Sequence, residues 1–283
     1  MPKSVYNNIA LLFFTVFLIS SCKSSFEKLR TSNDPEKVFI EANKFYEKGN
    51  YMKAQILYEI VLPYYKGKKE AQDLFYKFAY TYYYLEDYML ASHYFKSYSN
   101  SFTNSPYREE TLFMAAYSEY LMSPDYQLDQ TQTHKAIDDF QLFVNTFPNS
   151  DRVEECNNLI DKLRQKLERK EFEEGNLYYK LGKYISAIVS LENMLKDFPE
   201  TKREEDVRFL ILKSSYNYAK NSIFDKKLER LEDTISKYNE FVKRFPKSKN
   251  LSKAKKIYEY SLTEINKIKN GTGYKIESLR KRS

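Results

Sequence analysis

From residue 35 to 268 the apolar positions of this chain recur at helical spacing. Leu251, Ala254, Ile257, Tyr258, Leu262, Ile265 and Ile268 keep to one face of a 3.6-residue period, as a helix packed on one side requires. Leu74, Phe78, Ala79 and Tyr82 do the same earlier in the chain. Four tetrads punctuate the pattern: Phe102-Thr103-Asn104-Ser105, Phe147-Pro148-Asn149-Ser150, Phe198-Pro199-Glu200-Thr201 and Phe245-Pro246-Lys247-Ser248. Each ends an apolar-periodic stretch and puts Ser or Thr where a helix N-cap belongs. Pro106 follows Ser105 at the first helical position, and Thr201-Lys202-Arg203-Glu204 has the spacing of a capping box. The spacing therefore predicts helix–turn–helix units, with a different regime only at the start, where residues 9–19 form an eleven-residue run that is apolar but for Thr15. That run is too short to cross a bilayer, which takes about 20 residues.

Within the units a second pattern aligns. Ala42…Gly49-Asn50-Tyr51…Ala54…Tyr58, Ala79…Tyr88…Ala91…Phe95 and Gly175…Gly182-Lys183-Tyr184…Ala187…Leu191…Pro199 resemble the tetratricopeptide (TPR) repeat of about 34 residues. Two more degenerate units, Ala116…Ala136…Phe140…Pro148 and Ser214…Thr234…Tyr238…Pro246, complete the set. The small position of the first helix falls at 42, 79, 116, 175 and 214, so the uneven spacing locates insertions at 123–133 and 220–227 and a lengthened helix through 151–180. The expected fold is all-α: a TPR-like solenoid of about five helix pairs closed by a C-terminal capping helix.

Composition narrows this further. Six Gly and eight Pro in 283 residues, against 27 Tyr and 20 Phe, disfavour turn-rich β folds and glycine-loop nucleotide sites. Lys and Arg number 46 against 39 acids, a net charge of +7. The balance is uneven: residues 243–283 carry 13 Lys/Arg and three acids, net +10, leaving −3 for residues 1–242. Two cysteines exclude a disulfide framework. Cys156 falls mid-helix as a packing residue, whereas Cys22 closes Ile19-Ser20-Ser21-Cys22 after the apolar run. That ending resembles the lipobox of bacterial lipoproteins, which implies cleavage before Cys22 and acylation of that residue; an ordinary secretory signal with a chance Cys is the competing reading.

Catalytic chemistry finds no motif. His93 and His134 lie in different units without metal-ligand spacing, and no nucleophile elbow or phosphate loop occurs. Paired acids such as Glu109-Glu110, Asp138-Asp139 and Glu204-Glu205 suit helix starts and solvated faces. No catalytic residue, cofactor, metal or nucleic-acid partner is expected. What stands out is aromatic: positions four and then three residues apart on each first helix give Phe39/Asn43/Tyr46, Tyr76/Tyr80/Tyr83, Phe113/Tyr117/Tyr120, Phe172/Asn176/Tyr179 and Ile211/Ser215/Tyr218. The candidate peptide-binding groove is Phe39, Tyr46, Tyr76, Tyr80, Tyr83, Phe113, Tyr117 and Tyr120, with packing of the same rings on neighbouring helices as the competing reading. Lys253 and Lys256, in the basic end, are the candidate partner-docking residues.

The lipobox, the short linker, five TPR-like units with a long fourth-unit helix, and Ala136-Ile137-Asp138-Asp139-Phe140…Phe147-Pro148-Asn149-Ser150 together resemble the BamD family, over residues 22–269. Asp129-Gln130-Thr131 fits that family's third-unit insertion, while Ser214 and Thr234 depart from its usual small apolar residues. The resemblance implies a non-enzymatic scaffold lipoprotein of the outer-membrane β-barrel assembly machinery, anchored to the outer membrane through Cys22 and facing the periplasm. Its partners would be unfolded outer-membrane proteins at the first units and the BamA-like barrel-forming subunit at the last. The matching organisation is a signal peptide over 1–21, a lipidated linker over 22–34, units one to three over 35–150, units four and five with the cap over 151–269, and a basic tail over 270–283. A TPR lipoprotein of another envelope system, serving a pilus, gliding or peptidoglycan coordination, would share the fold and differ in partner.

Overall fold

The computed structural model describes residues 25–271, and among them there are twelve helices and no strand. They are α1 (Ser25–Arg30), α2 (Pro35–Glu47), α3 (Tyr51–Tyr65), α4 (Ala71–Tyr84), α5 (Tyr88–Ser101), α6 (Arg108–Met122), α7 (Thr131–Thr146), α8 (Val153–Lys180), α9 (Tyr184–Asp197), α10 (Glu204–Lys220), α11 (Phe224–Arg244) and α12 (Leu251–Lys269). From α2 to α11 they form five successive pairs, and α12 follows as the cap: a TPR-like α-solenoid. The stretch expected to be linker contains α1, whose Phe26 meets Phe45 of α2 edge to face at 5.8 Å. Cys22 and residues 272–283 lie outside the described residues.

The chain forms two compact units. The first holds the described residues to Pro124 with Gln130–Ile160; the second holds Asp125–Asp129 and the described residues from Asp161 on. Each is built on the small-residue crossings. Ala42, Ala79, Ala116, Ala54, Ala91 and Ala136 in the first unit have no solvent exposure. In the second, Ala187 is equally buried, and a Cβ on Gly175 would stand 2.6 Å from Leu191 Cγ and Cδ2. The fifth pair uses Ser214 and Thr234 at the same positions. Their hydroxyls donate to the carbonyls four residues back, Leu210 at 2.8 Å and Arg230 at 2.9 Å, so a polar atom is buried there without an unmet hydrogen bond.

The tetrads work differently from the N-caps expected of them. Ser105, Ser150, Thr201 and Ser248 each accept the amide two residues on, at 2.9–3.2 Å, forming a tight turn, and the helix starts three residues later at Arg108, Val153, Glu204 and Leu251. The capping box does not form: the Thr201 amide donates to Phe198 O, and Glu204 pairs instead with Arg208 at 2.8 Å and Arg244 at 2.6 Å. Three tetrad hydroxyls also reach back to an acid on the preceding first helix. Ser150 donates to Glu109 at 2.6 Å, Thr201 to Glu168 at 2.6 Å and Ser248 to Glu205 at 2.7 Å. Genuine side-chain N-caps are Asp34, Asn50 and Asp87, each accepting the amide three residues on.

Candidate functional site

The aromatic residues of the first unit separate into a supporting layer and a surface layer. Phe39 packs within its own helix pair, 4.9 Å from Tyr65 and 6.3 Å from Tyr58. Tyr80 is 7% exposed and Phe113 3%. Tyr80 meets Phe95 edge to face at 4.9 Å and Tyr76 at 4.8 Å. Phe113 lies against Phe140 and Phe143, with the Arg152 guanidinium 4.2 Å above its ring. Of these groove rings, Tyr80 and Phe113 are buried, while Phe39 and Tyr76 are half-buried against their neighbours.

The phenols of Tyr76 and Tyr80 are already engaged. Both donate to Glu110 on α6, at 2.9 Å to Oε2 and 2.6 Å to Oε1, and Tyr107 stacks on Tyr76 at 4.4 Å. Burial and then Glu110 push both phenols above the usual tyrosine value. Glu110 is thus a structural acceptor rather than a solvated first-turn acid. Likewise Asp139 is ion-paired with Lys96 at 2.6 Å, Glu109 holds Ser150, and Glu204 joins two arginines.

Half-buried Tyr46, Tyr83, Tyr117 and Tyr120 remain as the surface layer. Tyr117 stacks on Tyr120 at 5.7 Å and on Phe113 at 5.8 Å, so α6 offers a run of near-parallel rings. Tyr83 meets Tyr80, Tyr84 and Tyr88. Burial raises the Tyr83 phenol's pKa, and the phenol of Tyr117 on the next first helix adds to the shift. Tyr46 contacts Tyr51 at 5.6 Å and Tyr84 at 6.2 Å, and those two stack at 4.3 Å. The structure therefore brings α2, α4 and α6 tyrosines to one surface. Sequence reasoning missed Tyr84, Tyr51 and Glu110; the 34-residue interval from Tyr76 to Glu110, one repeat length, is the signal that pointed to a contact.

Lys253 and Lys256 are exposed on α12, and Lys243, Lys247 and Lys249, which precede them in sequence, are exposed as well. Elsewhere, Cys156 is buried and its thiol is pushed up to about 11 by that burial, and His93 and His134 are exposed. Among the described residues no group of three or more His, Cys, Asp and Glu is placed to hold a metal ion, and no helix is long and apolar enough to cross a membrane.

Comparison with known proteins bears on this arrangement. A family model described as YfiO, outer membrane lipoprotein, matches residues 31–222 and 178–268. Among solved structures, the TPR2AB-domain:pHSP90 complex of yeast Sti1 is 15% identical, covers 87% of this chain and 96% of its own, and has a TM-score of 0.39. A thermophilic TPR protein of Thermus thermophilus is 14% identical with a TM-score of 0.31, covering 81% of this chain and 100% of its own.

Proposed function

Because the chain belongs to the YfiO (BamD) family of outer membrane lipoproteins, we propose that it is a non-enzymatic periplasmic scaffold that captures unfolded β-barrel proteins on its first unit. Acylated Cys22 holds it to the membrane, and the basic last helix docks the barrel-forming subunit. Tyr83, Tyr117 and Tyr120 carry the reading for capture. They are half-buried rings on two adjacent first helices, held from beneath by Tyr80 and Phe113. An extended peptide ending in Phe or Tyr lays its ring on the Tyr117–Tyr120 stack while its backbone meets phenol hydroxyls. Such aromatic contacts are worth ~0.5–1.5 kcal/mol beyond area burial. That is enough for repeated weak capture and release, and the step requires no bond making or breaking.

The test is a labelled barrel-protein terminal peptide followed by fluorescence anisotropy. Tyr83→Ala with Tyr120→Ala should weaken binding at least tenfold, about 1.4 kcal/mol, with the melting curve little changed. Unchanged affinity in the folded double variant would make these tyrosines packing residues and remove the capture site.

A further inference from the structure

In most helix pairs the residue three places after the small crossing position meets a helix that precedes the pair. Phe45 meets Phe26 of α1 edge to face. Tyr82 is buried on α4, where α3 packs, and Glu59 of α3 follows burial and Tyr94 in raising its phenol. Glu119 accepts the Ser92 hydroxyl of α5 at 2.9 Å, with Lys96 of the same helix at 3.7 Å. Asn217 donates to Tyr179 of α8 at 3.3 Å. In the fourth pair the equivalent residue is Tyr178, and it lines an open groove of about 550 Å³ between α8 and α9. Ile185 and Val189, about one turn apart on the α9 side of that groove, are 49% and 50% exposed, a small uncovered apolar surface. The charged lining is Glu171, Glu174 and Asp197, with no base among the lining residues. Burial, and then Asp197 and Glu174, push the Glu171 carboxyl up to about 7, and Tyr178 hydrogen-bonds Glu174.

The repeat itself describes the occupant. Where the equivalent face is closed, a helix closes it, and in the third pair that helix brings a cation to acids: Lys96 lies 3.7 Å from Glu119 and 2.6 Å from Asp139. Short connections make α3 antiparallel to α4, and α5 antiparallel to α6. A helix taking the same course along α8 runs from the Tyr178–Ile185 end of the groove to the Glu171–Asp197 end, over about 18 Å of α9. It meets apolar surface first and carboxylates last. Its apolar side chains therefore belong to its first half and its Lys or Arg to its last turns, where cations also suit the helix dipole. We propose that the α8–α9 groove docks a basic amphipathic helix of a partner protein, antiparallel to α8, with its apolar side chains on Ile185 and Val189 and its C-terminal cations on Glu171, Glu174 and Asp197. The groove shares no residue with the tyrosine surface or with Lys253 and Lys256 of α12, so it goes beyond the capture and docking sites proposed above.

Two end-blocked, fluorescein-labelled, alanine-based helical peptides of identical composition test this on the full chain. One carries two leucines a turn apart in its first half and three lysines on the same face in its second half; the other has that sequence reversed. Anisotropy should show the first peptide binding at least tenfold more tightly than the reversed one, about 1.4 kcal/mol. Val189→Asp, and separately Glu171→Lys with Asp197→Lys, should each abolish that preference with helix content by circular dichroism unchanged. Glu171→Gln with Asp197→Asn, which introduces no new charge, should weaken it in the same direction and serves where the lysine reversal disturbs the fold. Tyr83→Ala with Tyr120→Ala should leave the preference as it is, so failure of the capture site and failure of this groove read separately. No binding of the first peptide, equal binding of the two, or a preference that survives the groove substitutions would each overturn the proposal. So would sedimentation of the parent as a dimer that Val189→Asp dissociates, since the occupant would then be a second copy of this chain.

Discussion

A phenol that donates to a carboxylate has no proton left to offer a ligand. Tyr76 and Tyr80 are in that position, both spent on Glu110, whereas no such acceptor defines Tyr83. The spacing 76, 80, 83 is legible in sequence because helical geometry dictates it. The division of labour along it is not, because Glu110 arrives from another helix, and in sequence its place in a first turn reads as dipole compensation. A hydrogen bond to a charged acceptor is worth about 1.5–3 kcal/mol, and Tyr80 is buried. Tyr80→Phe should therefore cost about 1.5–3 kcal/mol in chemical denaturation, while Tyr83→Phe should stay within about 0.5 kcal/mol. The pH dependence has a definite sign. The folded protein holds the Tyr80 proton more tightly than the unfolded chain does. Its contribution is complete below the ordinary tyrosine value near 10 and is lost as pH rises beyond it, so the gap between Tyr80→Phe and the parent should narrow in alkali.

At the scale of the helix pair, one turn recurs three times with nearly the same backbone. Gly49, Glu86 and Gly182 all take positive φ, at 72°, 61° and 71°, and the next residue's amide bonds back to the carbonyl of Phe45, Tyr82 and Tyr178 respectively. This is the left-handed helix stop that glycine favours. The two glycines are readable from sequence; that Glu86 takes the same conformation is forced by the short connection to α5, against its own preference. A non-glycine residue in that region costs roughly 1–2 kcal/mol, partly offset by glycine's greater freedom when unfolded. Glu86→Gly should thus raise stability by about 0.5–1 kcal/mol. Gly175 presents the opposite case. Alanine would gain about 1 kcal/mol of helix propensity, but its Cβ would press on fully buried Leu191 at 2.6 Å, and overpacking of that kind costs about 1–3 kcal/mol. Thermal melts should show Gly175→Ala neutral to destabilising and Glu86→Gly stabilising; the reverse order would contradict the shared register. The tetrad latches to Glu109, Glu168 and Glu205 stay hidden in sequence because the three partners lie 41, 33 and 43 residues away, not one fixed interval.

Across the whole molecule, the densest aromatic surface and the basic surface fall in different parts of the chain. The half-buried groove tyrosines Tyr46, Tyr83, Tyr117 and Tyr120 lie before residue 124 and the +10 charge after residue 242, with half-buried Tyr179 and Tyr218 continuing the same helix position between them. That separation is readable from composition alone. The boundary between compact units is not, because it falls at Ile160 inside the continuous helix α8, where no turn residue marks it. Segregated surfaces predict separable functions. Exposed lysines such as Lys253 and Lys256 add little to stability, since substitutions at such positions usually change it by less than about 0.5 kcal/mol. Under the proposed docking role they would act on association instead, through long-range attraction that salt screens within about 10 Å at 0.1 M. Lys253→Glu with Lys256→Glu should therefore leave the melting curve and terminal-peptide anisotropy as they are, yet reduce capture of the barrel-forming subunit's periplasmic repeats several-fold in low salt. Raising the salt should shrink the difference between parent and variant, because the lost interaction is electrostatic. If the double reversal leaves capture unchanged in low salt, the basic face of α12 is not the dock. If it weakens the peptide as well, the two units are coupled, and a scaffold with independent surfaces is the wrong description.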